Sequence, residues 1–302
     1  MRIALLLALA CLSCCAAIVP DVRALINKKD FDAAEKLIAA QKGSGPWTPE
    51  LLEAKSWIGR GYLAAKEYDK AIASAEETRK LCLALMKRQP LDSEKRLPIA
   101  FGATIEVNGQ ALAGKGQRSE GVAFLQKELK TYYASSIRTR VQKNINLLSL
   151  EGQPAPKLEM KEWVGAQAPQ SLAKLQGKPT ILFFWAHWCG DCKQQAPILE
   201  EIMAKYGPKG LQIVGPTQYY GYVAGGEDAK PAQEKAYIQS IYERFYKSIP
   251  GMTAPLSEEN FKVYGSSTTP TLVLLDKKGL VRLYNPGKLT AAELSAKIEP
   301  LL

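Results

Sequence analysis

Residues 180–199 read TILFFWAHWCGDCKQQAPIL, and the fold turns on how this stretch divides. From Ile181 to Trp185 the run is continuously apolar, with the β-branched and aromatic content of a strand buried on both faces. It gives way to Cys189-Gly190-Asp191-Cys192, after which Ala196, Leu199, Ile202 and Met203 recur at helical spacing. Two cysteines three apart at a helix start can close a disulfide across one turn. The first sits where unpaired backbone N–H groups and the helix dipole favour an anion, so its thiolate is stabilised. An attacking sulfur beside a resolving one points to redox chemistry.

The competing reading is half of a zinc site, which needs two further Cys or His ligands. The chain has one histidine, His187, too close in sequence to serve, and only Cys82 remains outside the N-terminal segment. Cys82 lies in the apolar run Leu81 to Leu85 and reads as a buried packing residue. No metal and no cofactor beyond the Cys189–Cys192 pair is expected.

The block Trp185-Ala186-x-Trp188-Cys189-Gly190-x-Cys192-Lys193, followed by Ala196-Pro197-Ile198-Leu199, resembles the active-site strand and helix of the thioredoxin superfamily. Pro197 falls where that family kinks its helix, as an interior proline must. Thr269-Pro270-Thr271, a strand Leu272 to Leu275 and Asp276 to Gly279 resemble its cis-proline strand and hairpin. Gly287 and a helix from Thr290 to Leu301 resemble its closing elements. Gly152-x-Pro154-Ala155-Pro156, and Leu172 to Gly177 leading into the strand, are similar to the TlpA/ResA-like group, whose members face the cell envelope. The resemblance covers about the C-terminal half. It implies Cys189 as attacking and Cys192 as resolving thiol, a cis bond at Pro270, and substrate contact at Trp188, Thr269 and Pro270. Trp185 reads as packing beneath the site.

Three departures from the family bear on the chemistry. Asp191 stands where proline is common, and a carboxylate there opposes thiolate formation unless solvent screens it. His187, two residues before Cys189, reads as part of an exposed loop, either a bystander or, as imidazolium, a modulator of the thiolate. Phe183 stands where thioredoxin has a buried acid, so a proton acceptor for Cys192 must come from Glu227, Asp228, Glu234 or water.

Further out, 302 residues allow about two domains. The formal charge of +10 is dispersed, without the basic, aromatic-interleaved cluster that nucleic-acid binding uses, so no nucleic acid is expected as a partner. Residues 1–19 read as a targeting segment: Met1-Arg2, then an apolar run ending at Cys15-Ala16-Ala17. A cleaved signal peptide, a lipid attachment and a retained membrane anchor all fit, and each exports the chain to the periplasm or cell envelope.

Residues 20–148 read as helical throughout. Phe31 to Ile38 and Tyr68 to Ile72 look like copies of one unit, and Gly59 and Tyr62 precede the second at spacings resembling the tetratricopeptide-type repeat. A weaker third copy runs through Gly109, Leu112, Gly121, Leu125 and Leu129. Small residues there let paired helices approach closely. A plain helical bundle is the alternative. Residues 149–157, rich in Pro and Gly, read as a linker to a domain over 158–302. Within it, about 218–250 forms an insertion: a Tyr- and Gly-rich loop, whose tyrosines either line a substrate lip or pack the loop, then a helix from Pro231 to Lys247.

The expected architecture is an all-α helical-repeat domain followed by an α/β thioredoxin fold with a central mixed sheet flanked by helices. The expected function is an exported protein thiol–disulfide oxidoreductase, reducing envelope protein disulfides with electrons from a membrane donor. The helical half would then be a partner-docking surface or a spacer. The rival is a helical-repeat adaptor whose redox fold is a passive module. Peroxide reduction ranks last, since no Pro-x-x-x-Thr-x-x-Cys pattern surrounds Cys189.

Overall fold

The computed structural model describes residues 17–302, so most of the proposed targeting segment lies outside the described residues. An all-α N-terminal region is followed by a thioredoxin-like domain, a mixed β-sheet flanked by helices. By compactness the chain forms two units, one ending at Phe101 and one beginning at Gly102.

The N-terminal region is built from helical hairpins: α1 (Ile18–Asn27) with α2 (Phe31–Lys42), α3 (Pro49–Ala64) with α4 (Tyr68–Met86), and α5 (Arg96–Gly114) with α6 (Arg118–Thr131). All three close through the same turn. Lys29, Lys66 and Gly116 take left-handed φ values of 60°, 61° and 87°. Two residues on, Phe31, Tyr68 and Arg118 open the second helix of each hairpin. Backbone bonds repeat as well: Asp30 N to Leu25 O, Glu67 N to Tyr62 O, and Gln117 N to Leu112 O. These are helix C-caps in which a left-handed residue frees the next amide to reach back to an orphan carbonyl.

Small residues let the paired helices meet. A Cβ on Gly121 would lie 2.6 Å from the Gly109 carbonyl oxygen, and Gly59 faces Ala71, Ser74 and Ala75. In the first unit Phe31 and Tyr62 stack with centroids 4.2 Å apart over a core that includes Val22, Ala34, Ile38 and Ile58.

The thioredoxin-like half centres on the order β3 (Gln212–Val214), β2 (Thr180–Phe184), β5 (Thr271–Leu275), β6 (Val281–Pro286). β2 runs parallel to β3 and antiparallel to β5, which is antiparallel to β6. β1 (Trp163–Val164) and β4 (Ala254–Pro255) form a second ladder, joined to the β3 side by single bridges Val214–Thr253 and Thr217–Leu256. Alternate residues of β2 feed opposite cores, as a doubly covered strand must. Ile181 and Phe183 pack with α8 (Gly190–Tyr206), α9 (Pro231–Phe245) and α11 (Ala291–Ile298). Leu182 and Phe184 pack with α10 (Glu258–Tyr264). Beneath that face α7 (Arg138–Ser149) docks on α10 and β6, and Gly265 lies so close that a Cβ there would sit 2.6 Å from Lys143 Cα.

Candidate active site

β2 aims the chain at the site, and the sheet register brings the other half to it. Phe184 pairs with Thr271, so the turn after β2 and the residue before β5 lie at one end of the sheet. That residue is Pro270, and the Thr269–Pro270 bond is cis. Its carbonyl accepts the Gly287 amide at 2.8 Å. The next residue, Lys288, reaches the first turns of α8, bonding Asp191 at 2.8 Å and Gln194 at 2.6 Å. Buried Gln195 exchanges two hydrogen bonds with the Leu289 backbone, at 3.0 and 2.9 Å. The cis-proline loop, the strand-end loop 287–289 and the cysteine turn are thus tied together.

Cys189 and Cys192 form a disulfide, Sγ to Sγ 2.16 Å, with Cα atoms 5.3 Å apart. Cys189 is the N-cap of α8, and its sulfur accepts the Cys192 amide at 3.0 Å. An acceptor at this position satisfies one of the helix's orphan N–H donors, and the same N-terminal field favours negative charge on that sulfur once reduced. Both sulfurs are nearly enclosed, whereas Trp188 is 49% exposed beside them. Trp185 is fully buried and donates from Nε1 to Gly215 O at 2.8 Å, as a packing residue beneath the site. The structure holds Asp191 against Lys288, which offsets the carboxylate placed between the cysteines. Thr269 is half-buried and its Oγ1 has no hydrogen-bond partner.

His187 corrects an expectation. It is not in an exposed loop but 1% exposed, because the insertion folds over it. Tyr220, Tyr222 and Tyr237 present their rings edgewise to the imidazole, each with centroids 5.3 Å away. Nε2 lies 3.4 Å from Glu234 Oε1, without a well-aligned hydrogen bond. Burial holds the imidazole pKa below its ordinary range, with Glu234 opposing in part. Of the three acids considered as proton acceptors, Glu227 and Asp228 are exposed in the loop and Glu234 is buried. Phe183, at the position of the missing acid, packs edge-on against Tyr246 at 5.8 Å. Sequence spacing carried no sign of the His187–Glu234 approach, since 47 positions and a loop of unreadable path separate the two residues.

Among the described residues no group of Cys, His, Asp or Glu is arranged to hold a metal, and the disulfide stands where a cofactor would. Cys82 is buried without a partner sulfur, and burial pushes its thiol pKa up to about 12.

Residues 151–217 match the AhpC/TSA family. Thioredoxin-like protein YneN of Bacillus subtilis is 28% identical over 149 residues, 49% of this chain and 79% of its own length. The thiol-disulfide oxidoreductase ResA of Geobacillus thermodenitrificans is 24% identical over 154 residues, 50% of this chain and 77% of its own. Among solved structures, a Chlorobium tepidum protein described as a thiol:disulfide interchange protein DsbE is 26% identical, with a TM-score of 0.39 over 50% of this chain and 96% of its own. The C-terminal half of this chain is a thioredoxin-like domain similar in sequence to the ResA-type thiol-disulfide oxidoreductases.

Proposed function

We propose that the chain is an exported protein thiol–disulfide oxidoreductase that works through Cys189-Gly190-Asp191-Cys192 and reduces disulfides of envelope proteins. One observation carries this reading: two sulfurs close enough to bond at the N-terminus of α8, in a turn tied through Lys288 and Gly287 to a cis Pro270. In the reduced protein the Cys189 thiolate attacks one sulfur of a substrate disulfide. A Cys189–substrate bond forms and one substrate thiolate leaves. Cys192, losing its proton, then attacks Cys189 Sγ, forms the Cys189–Cys192 bond and releases the second substrate thiolate. Two electrons pass to the substrate, and a membrane electron donor returns them. Pro270 has no N–H, and the backbone beside it offers an extended substrate a strand-like partner that tolerates many sequences, flanked by Thr269 and Trp188.

Reduction as the direction, and the envelope as the address, follow from the resemblance to ResA-like proteins and from the apolar N-terminal segment. Among the described residues no helix is long and apolar enough to cross a membrane. The three hairpins closed by one turn favour reading residues 20–148 as a repeat surface that docks a protein partner. Despite the AhpC/TSA match, Leu182 and Ala186 stand where a peroxide-reducing pattern has Pro and Thr.

Insulin reduction tests the activity: wild type should precipitate the insulin B chain and Cys189→Ser should not. Equal turbidity rates for the two would overturn the assignment. Cys192→Ser should trap a mixed disulfide. A partner captured by the helical half that stays bound after both cysteines are changed, with no trapped species, would favour the adaptor reading instead.

A further inference from the structure

The insertion helix α9 contributes neither sulfur nor the cis-proline, yet one of its side chains holds together three segments around them. Glu234, in the first turn of α9, is 1% exposed. Its two oxygens accept separate backbone amides, Oε1 from Tyr220 at 2.5 Å and Oε2 from Gly221 at 2.9 Å. Oε1 also lies 3.4 Å from His187 Nε2, in the turn that leads to Cys189. Burying a carboxylate is costly unless donors surround it, and here the donors belong to the loop that must be held. Tyr220 then meets Trp188 edge to face, ring centroids 5.6 Å apart, and Trp188 is the large exposed side chain next to Cys189.

We propose that Glu234, together with His187, is a positioning device that fixes the Tyr220–Trp188 aromatic ledge beside the dithiol and so sets how a protein substrate docks there. The inference rests on the oxidoreductase reading and deepens it. A protein disulfide must lay its flanking chain against the ledge, whereas a small disulfide reaches the sulfurs without it. The groups facing His187 are Glu234 and Tyr237 from α9, Tyr220 and Tyr222 from the loop, and, acting through charge, Lys193 from α8. Burial disfavours the charged imidazole, so near neutrality the ring acts as a polar, uncharged spacer between the carboxylate and the cysteine turn.

Glu234→Gln is the discriminating change, because its amide turns a donor toward one of the two backbone N–H groups. Steady-state kinetics on insulin and on a small aromatic disulfide read the result. The ratio of the insulin KM to the small-disulfide KM should rise about tenfold, the loss of roughly one charge-assisted hydrogen bond's worth of positioning. If that variant does not fold, Trp188→Ala, at an exposed position, should raise the same ratio. A merely structural role for Glu234 would lower the melting temperature and leave the ratio where it was, which overturns the inference, as would an unchanged ratio in Trp188→Ala. Wild-type inactivity on both disulfides would remove the oxidoreductase reading and this inference with it; an active wild type with unmoved variants removes only the latter.

Discussion

At the scale of single residues, the charges nearest the cysteine turn come from two separate elements. Asp191 lies between the cysteines, and read alone it opposes a thiolate; Lys288 offsets it from another element. Both side chains are substantially exposed, so the effect is modest. Lys288→Met should slow iodoacetamide alkylation of reduced Cys189 at neutral pH by about twofold, an effect that added salt diminishes. An unchanged rate would show that the carboxylate does not act on the sulfur. His187 makes the second prediction. Its folded-state pKa lies below the ordinary 6.5, so on acidification the unfolded chain takes up the proton first. The stability tied to this group is therefore complete above about pH 6.5 and declines as pH falls below it. His187→Phe keeps a ring among the three tyrosines but cannot titrate. Urea unfolding at about pH 7.5 and about pH 5.5 should show a smaller stability loss on acidification for the variant than for wild type. The cis bond at Pro270 was implied by the family resemblance, whereas the cysteine pair at a helix start was legible from its spacing because that chemistry is local. The burial of His187 was not, because it depends on a helix that begins at Pro231.

At the scale of elements, period and spacing mark the strand after Thr180 and the helices after Cys189 and from Pro231, the family resemblance marks the strand from Leu272 and the helix from Thr290, and β1, β4, β6 and α10 carry no local signal of their own. The strand expected over Ile181 to Trp185 spans Thr180–Phe184, with Trp185 buried just beyond it. The helix expected from Thr290 begins at Ala291 with Thr290 as its cap, donating and accepting in a reciprocal box with Glu293. The insertion helix expected from Pro231 to Lys247 spans Pro231–Phe245. In the helical half an aromatic with alanine three residues on marks the second helix of the first two hairpins, at Phe31 and Tyr68, whereas Arg118 opens the third, and the turn between helices has no visible motif. Its left-handed residue is Lys in two copies and Gly in the third, so no glycine signal repeats. Lys66 pays a steric cost at φ 61° that Gly116 does not. Lys66→Gly should thus raise stability by about 0.5–1 kcal/mol, read as a higher urea midpoint with unchanged slope. A drop would mean that the lysine side chain contributes more than its backbone costs.

At the scale of the molecule, helix α7 is bound to α5 by a polar cluster and to the α10 end by a close backbone contact. Glu106 of α5 accepts Arg140 Nε at 2.9 Å, Lys143 Nζ at 3.3 Å and Asn144 Nδ2 at 3.1 Å. Burial by itself would raise its pKa, but the two cations and the hydrogen bonds outweigh that and bring it down to about 2. A depressed carboxyl pKa stabilises above the unfolded value of 4.5, and the contribution fades as pH falls through that value toward about 2. Glu106→Gln should cost about 2–3 kcal/mol at neutral pH, and the gap to wild type should close in acid. Gly265→Ala should cost about 3 kcal/mol or more, since the methyl meets Lys143 main chain at a left-handed position. A stable Gly265→Ala variant would mean that α7 can lift from α10 without loss.

The order of residues along the chain carries the local pieces: a strand running into two cysteines three apart at a helix start, and a succession of helices before it. Each rests on interactions between residues close along the chain, where period and spacing are sufficient. Which distant groups share the site's interior and its electrostatics is settled only in the folded chain. Lys288 beside Asp191, Glu234 beside His187 and Lys143 beneath Gly265 are pairs whose meeting depends on strand register and helix docking, and these are fixed by packing of the whole core rather than by any local pattern.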